Sequence, residues 1–256
     1  MKKIFIFITA VLIICAAWTL YTGRQKTILL QGEIVFRQLN ISPRIAGRVD
    51  EILAREGEIV KKGQALATLY APDMLAKASQ VKAPRDLAQK SYARIQELYE
   101  GGVVSAQKLD EAQAKVEQAE GAVDATLTFV DEMTLHSPVD GEISTVVLEN
   151  GELASPGISV LTVLDTNDVW ATFNVREDLL NNFKMGENIN ITIPALGGES
   201  FPFSITYISK QGDYAVWSAT KTHGEFDLKT FEVRAKPAKA IPQLRSGMTA
   251  LITLPL

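Results

Sequence analysis

The chain has almost no cysteine: Cys15 stands alone among 256 residues, so no intramolecular disulfide can form and cysteine usage leaves the redox compartment open. Histidine is nearly as scarce. His136 and His223 are isolated, and there is no Cys-x-x-Cys pair, no HExxH helix and no phosphate-cradling glycine loop. These absences leave no catalytic residue, no metal-ligand set and no cofactor to assign, and the expected protein is not an enzyme. Positive charge is not in excess either, with 26 Lys and Arg against 30 Asp and Glu and a net charge of −4. A general nucleic-acid binder would show a basic patch, so nucleic acid is not an expected partner.

Charge is missing altogether from residues 4–21, an apolar run of eighteen preceded by Lys2 and Lys3. Such a run is long enough for a short membrane span, and its positive flank stays cytoplasmic. Residues 1–25 are therefore read as an uncleaved single-pass inner-membrane anchor, with the bulk of the chain in the periplasm. The alternatives are a cleaved signal peptide and a lipoprotein signal acylated at Cys15. The Cys-Ala-Ala-Trp stretch at 15–18 fits a cleavage site poorly, and Ile14 is bulky for a lipoprotein signal.

What the chain does have is a seven-residue beat. Met74, Val81, Ala88 and Ile95 fall seven apart, with Ala78, Tyr92 and Tyr99 four after three of them; Leu109, Val116, Val123 and Val130 repeat the pattern, with Ala112, Ala119 and Met133 between. Heptad spacing predicts coiled-coil helices. The break at 100–107, EGGVVSAQ, is too short to let the two helices point the same way, so an antiparallel hairpin is expected over residues 72–134. Each arm would reach on the order of 40 Å at about 1.5 Å per residue. Pro84 removes one backbone donor and is expected to kink the first arm or divide it near Lys82.

An internal repeat flanks the hairpin. The first copy, residues 42–69, reads SPRIAGRVDEILAREGEIVKKGQALATL, and the second, residues 137–164, reads SPVDGEISTVVLENGELASPGISVLTVL. Gly47, Gly57 and Gly63 match Gly141, Gly151 and Gly157, ten and then six apart in both copies. Glycine at repeated positions suits tight reversals between short strands, because it adopts φ > 0 without steric cost. Each copy is expected to form half of a β-sandwich over residues 41–71 and 135–167, burying its apolar face only when it meets the other. Closing the sandwich would bring the two ends of the hairpin together at its base.

The remainder, residues 26–40 and 168–256, reads as short strands punctuated by glycine and proline, the pattern of a small β-barrel. Val169, Ala171, Phe173 and Val175 alternate, as do Phe201, Phe203, Ile205 and Tyr207; residues 177–184 read as a short helix with Leu179, Leu180 and Phe183 on one face. Residues 28–39 are expected to complete the barrel. Asp213, Tyr214 and Trp217 are candidates for a contact surface, although aromatic residues in a barrel are usually core.

This nested order resembles the periplasmic adaptors, or membrane fusion proteins, of the HlyD family. The resemblance is carried by GRVDEILAREGEIVKKGQAL at 47–66, SPVDGEI at 137–143 and RSGMTALI at 245–252. It implies a lipoyl-like β-sandwich split by the hairpin, a β-barrel and an N-terminal membrane helix. It also implies two partners, an inner-membrane transporter and a TolC-type outer-membrane channel, and self-association into a trimer or hexamer ring. Family members that dock on such channels carry Arg, then Leu four later, then Ser seven after that; Arg94, Leu98 and Ser105 stand at those intervals near the hairpin tip. The heptad register leaves Arg94 and Leu98 one turn apart on an outward stripe. Ser105 is also an ordinary N-cap for the second arm, with Asp110 and Glu111 near its first turn.

True lipoyl domains present their modified lysine on the turn that the hairpin here replaces; Lys61 and Lys62, inside the first repeat, read as a charged turn instead. Larger adaptors continue into a membrane-proximal domain, whereas this sequence stops at Leu256 just after the last barrel strand, so ABC and proton-driven transporters both remain open. A bacterial envelope structural protein self-associating through the hairpin is the alternative.

Overall fold

The structure, a computed structural model, describes residues 27–212 and 229–255. The expected anchor with Lys2, Lys3 and Cys15, and likewise Asp213, Tyr214, Trp217 and His223, lie outside the described residues. No helix among the described residues is long and apolar enough to cross a membrane. The chain divides into two units, Met1–Phe36 with Asp168–Leu256, and Arg37–Asn167.

The second unit holds the repeat and the hairpin. Its first copy supplies β2 (Gly47–Ile52), β3 (Ile59–Val60) and β4 (Ala65–Tyr70), and its second supplies β6 (Gly141–Val146), β7 (Leu153–Ala154) and the start of β8 (Leu161–Arg176). Neither copy keeps its strands to itself. The strand β3 pairs with β6 of the other copy through Ile59↔Glu142 and Val60↔Gly141, and β7 pairs with β2 through Leu153↔Arg48 and Ala154↔Gly47. Each half lends its shortest strand to the other's sheet, so the halves close by exchange rather than by simple stacking. Val49, Leu66, Leu69, Ile143, Leu161 and Val163 fill the dry core between the sheets.

The exchange is symmetric in hydrogen bonds. Gly57 N–H donates to the Ile143 carbonyl at 2.8 Å, and Gly151 N–H donates to the Val49 carbonyl at 2.7 Å. Val146 N–H donates to Glu56 Oε1 at 2.9 Å, matched by Ile52 N–H to Asn150 Oδ1 at 3.0 Å. Every pair is related by the same shift that carries Gly47 to Gly141. The β-bulges agree as well, between Val49 and Glu51 on β2 and between Ile143 and Thr145 on β6.

The glycines do two jobs. Gly57, Gly63, Gly151 and Gly157 have φ between +80° and +88°, the left-handed turn conformation. Gly47 and Gly141, expected at reversals too, start strands instead and are needed for close approach: a Cβ at Gly141 would lie 2.1 Å from the Leu164 carbonyl oxygen, and one at Gly47 would lie 3.2 Å from that of Tyr70.

From β4 the chain enters α1 (Pro72–Glu100), turns, and returns along α2 (Ala106–Asp131) to β5 (Thr134–His136). Pro72 opens α1 at a position where its missing N–H costs nothing, with Asp73 in the positive first turn. Along α1, Met74, Ala78, Val81, Arg85, Ala88, Tyr92 and Ile95 are less exposed than their neighbours, a heptad seam in which Arg85 fills the slot that carries no apolar residue. Leu109, Ala112, Val116, Ala119, Val123 and Thr126 answer it from α2.

Two expectations are corrected here, the division of the first arm and the place of Tyr99. Pro84 does not divide the first arm, which runs unbroken through it. Both Gln80 and Pro84 are exposed, so water serves the carbonyl that lost its donor while the seam continues on the other side. Tyr99, expected in the seam, is 42% exposed, one residue before α1 ends at Glu100.

The first unit is a closed six-stranded barrel. β1 (Thr27–Ile41) pairs antiparallel with β12 (Thr249–Pro255), the order continues through β9 (Asn188–Ile193), β10 (Glu199–Ile208) and β11 (Thr230–Pro237) to β8, and pairing of β1 with β8 closes the ring. Ile34, Phe173, Ile191, Phe203, Val233 and Ile252 point inward. The predicted helix at 177–184 is a 3-10 turn over Glu177–Asn182, with Leu179 and Phe183 buried. The alternation on β10 breaks at a bulge between Ile205 and Tyr207, which turns Tyr207 outward beneath the Arg234 guanidinium, 5.1 Å from the ring centre.

Candidate functional site

The hairpin tip is built by a helix stop. Gly102 N–H donates to the Tyr99 carbonyl at 2.9 Å and Val103 N–H donates to the Leu98 carbonyl at 2.9 Å, the paired bonds of a Schellman motif. That motif needs a left-handed residue after the last helical turn, and Gly102 supplies it with φ +74°. The stop leaves Leu98 38% exposed, Tyr99 42% and Val103 70%, so three apolar side chains face water around one five-residue loop. Arg94 is exposed one turn below Leu98 and makes no ion pair among the described residues.

Ser105 occupies the N-cap of α2 with extended backbone (φ −80°, ψ 159°), and its carbonyl accepts from Lys108 N–H at 3.0 Å. Its hydroxyl makes no capping hydrogen bond, contrary to the side-chain cap expected from the sequence, and no acid lies in the first turn. Asp110 and Glu111 sit beyond it. Glu111 is instead held below the usual carboxylate range by its hydrogen bond and charge contact with Lys108, Nζ to Oε2 3.1 Å.

The structure thus brings Arg94, Leu98 and Ser105 to one end of the hairpin. Sequence reasoning missed Val103, and it missed Leu87, 66% exposed, which extends the Arg94 and Leu98 stripe down the arm. The signal for Leu87 was available: positions 87, 91, 94 and 98 each precede a seam position by one residue.

Elsewhere, Lys61 and Lys62 lie in the turn before Gly63, where Lys62 N–H donates to Asp140 Oδ1 at 2.8 Å and Lys61 N–H to Gln64 Oε1 at 3.0 Å. His136 is exposed on β5, beside the return of α2. Among the described residues no group of His, Cys, Asp or Glu could hold a metal ion.

A sandwich closed by strand exchange and interrupted by a two-helix hairpin defines a barrel-sandwich hybrid, and a six-stranded barrel follows it in the chain. Residues 38–164 match the family described as CusB, barrel-sandwich hybrid domain. The chain is similar to a 36 kDa antigen of Helicobacter pylori, 29% identical with 90% of each chain covered. It is 30% identical to the cobalt-zinc-cadmium resistance protein CzcB of Cupriavidus metallidurans, over 65% of this chain and 36% of that protein. Among solved structures, a MacA-MexA chimera carrying the Pseudomonas aeruginosa MexA α-hairpin domain shares the fold with a TM-score of 0.73 at 18% identity, covering 91% of this chain and 83% of the chimera. Residues 38–164 belong to the CusB barrel-sandwich hybrid family. That family is one of adaptors rather than catalysts.

Proposed function

We propose that this chain couples an inner-membrane transporter to a TolC-type outer-membrane channel, with Arg94, Leu98 and Ser105 at the channel contact. Residues 1–25 anchor it as a single-pass inner-membrane protein, and copies assemble as a trimer or hexamer ring around the conduit. In this reading the working parts are residues 26–40 with 168–256 as the barrel, 41–71 with 135–167 as the lipoyl-like domain, and 72–134 as the hairpin. The transporter is of the ABC or the proton-driven type.

The tip carries this reading. Leu98 and Val103 are apolar and water-exposed, Arg94 stands one turn away without an ion-pair partner among the described residues, and the Ser105 hydroxyl is not used by its own helix. An apolar anchor flanked by an arginine is what a buried protein contact uses. Deleting residues 93–105 tests it: export is lost while the barrel folds and the transporter is still retained, and unchanged export overturns the reading in favour of an envelope structural protein. More narrowly, Arg94→Asp weakens cross-linking of the tip to the channel by about tenfold, the loss expected when one charge at a contact is reversed; normal cross-linking removes Arg94 from the contact.

A further inference from the structure

Asn150 is the only asparagine in the chain that is followed by glycine. Such a pair is chemically labile, because a residue without a side chain lets its backbone nitrogen reach the preceding carboxamide carbon. Asn150 and Gly151 form an exposed turn between β6 and β7, open to water and base. A Cβ at Gly151 would meet nothing within 4 Å, so nothing crowds the approach. In the reaction, Gly151 N–H gives its proton to solvent base and its nitrogen bonds to Asn150 Cγ, while the Cγ–Nδ2 bond breaks and ammonia leaves. The product is a cyclic succinimide, which water then opens. Addition at Cγ restores the peptide bond and leaves an aspartate. Addition at the Asn150 backbone carbonyl carbon breaks the original peptide bond and leaves an isoaspartate, whose chain runs through the side chain and is one methylene longer. Either route consumes water and releases ammonia, with no oxidant or reductant.

The fold holds both reacting groups apart. Gly151 N–H, the nucleophile, donates to the Val49 carbonyl at 2.7 Å, and Asn150 Oδ1, on the electrophilic carbon, accepts from Ile52 N–H at 3.0 Å. The Gly151 carbonyl accepts from Arg48 Nη1 at 3.1 Å. All three partners belong to β2, so attack requires the turn to lift off that strand. The attachment is slight: β7 has two residues, paired to β2 through Leu153↔Arg48 and Ala154↔Gly47, and it ends its sheet. An edge of this kind opens locally before a domain unfolds. The first copy has the same clasp without the chemistry. Glu56 stands where Asn150 does, its Oε1 accepts from Val146 N–H at 2.9 Å, and a carboxylate is no electrophile.

We propose that Asn150 and Gly151 form a self-modification site, a deamidating turn gated by its attachment to β2 that reacts only while the turn is lifted. The two products differ in consequence. An aspartate keeps an acceptor for Ile52 N–H and reseats, as Glu56 does in the first copy. An isoaspartate lengthens the backbone inside the turn and throws Gly151 N–H out of register with the Val49 carbonyl, so the turn does not return. The second copy therefore accumulates an irreversible mark of how often the strand exchange has opened, and the first copy accumulates none.

The test follows the full-length chain in detergent at mildly alkaline pH. Conversion at position 150 is read by peptide mass, and isoaspartate by labelling with an isoaspartate-specific methyltransferase. Conversion is expected to run about a hundredfold slower in the folded chain than in the same chain unfolded in urea, because it follows the population of the lifted turn. Arg48→Ala removes one clasp at an exposed position and is expected to raise the folded-state rate about fivefold, with the rate in urea and the urea midpoint unchanged. Equal rates in folded and unfolded chains, no acceleration by Arg48→Ala, or an acceleration no larger than a fallen midpoint accounts for, overturns the gate. In an aged sample rich in isoaspartate, Val49 N–H, which donates to the Glu152 carbonyl at 2.8 Å, is expected to lose its protection from hydrogen exchange, while an Asn150→Asp chain keeps it. Protection retained in the aged sample overturns the irreversible step.

Discussion

The sandwich and the hairpin are neighbours in one unit, yet they are held together by different means. In the sandwich, Val60, Leu66, Ala154, Val160, Leu161 and Val163 are wholly buried, and backbone hydrogen bonds fix the register across two segments far apart in the chain. In the hairpin only Ala78, Val123 and Thr126 are buried, and the rest of the seam is half-exposed. The sandwich is a dry jigsaw that tolerates little, and the hairpin is a shallow zipper with much of its side-chain surface in water. A base must keep one geometry, whereas an arm that meets another protein needs surface left over for it.

Substitutions can widen or collapse that contrast. The largest effect is expected at Gly141→Val, because the new Cβ would meet the Leu164 carbonyl oxygen at 2.1 Å and force β6 and β8 apart. Overpacking against backbone in a closed sandwich is expected to cost more than about 4 kcal/mol, read from urea unfolding. Gly47→Val, its symmetry mate, meets its nearest atom at 3.2 Å and is expected to lose less, about 1–3 kcal/mol; equal losses at the two sites would mean the copies are not packed differently.

Truncating the two cores comes next. Leu66→Ala, fully buried in the sandwich, is expected to cost about 3 kcal/mol, while Ile95→Ala in the half-exposed seam costs about 1 kcal/mol. A seam loss as large as the core loss would show that the hairpin is packed more tightly than its exposure implies. The smallest effect concerns Glu111, whose carboxyl is lowered by the Lys108 hydrogen bond. A depressed carboxylate contributes stability above its unfolded value of about 4.3 and loses it as pH falls through the lower folded value. Titration of the Glu111 carboxyl by NMR should show the depression, and Lys108→Ala should reduce it without touching the sandwich.

Much of this was legible in the sequence, for reasons that also set its limits. The heptads at 74–95 and 109–130 announced the seam because helix periodicity is local. The glycine spacings announced the repeat because turns are local too. Which strand pairs with which is not local, and so the exchange of β3 and β7 between the halves left no trace in composition: Ile59–Val60 and Leu153–Ala154 are two-residue strands whose partners sit across the intervening hairpin. Pro84 does not divide α1, because a rule about helix interiors says nothing of which side faces water. Alternation on β10 was read through to Tyr207, although a bulge there reverses the inside and outside of the strand. At the tip, the spacing of Arg94, Leu98 and Ser105 was visible, but the exposure of Val103 depends on where Gly102 ends the helix.

The two roots of the hairpin enter adjacent strands. Thr68 of β4 lies opposite Thr134 of β5, Leu69 N–H donates to the Met133 carbonyl at 2.7 Å, and Arg44 Nη1 holds Glu132 Oε1 at 2.9 Å. Sliding one helix along the other would have to shear that ladder by a residue and turn Leu135, the buried side chain of β5, toward solvent. Displacement at the tip therefore travels to the root as tilt or torsion of a single stiff lever, and a pull on the far end is felt first as strain in the β4–β5 ladder.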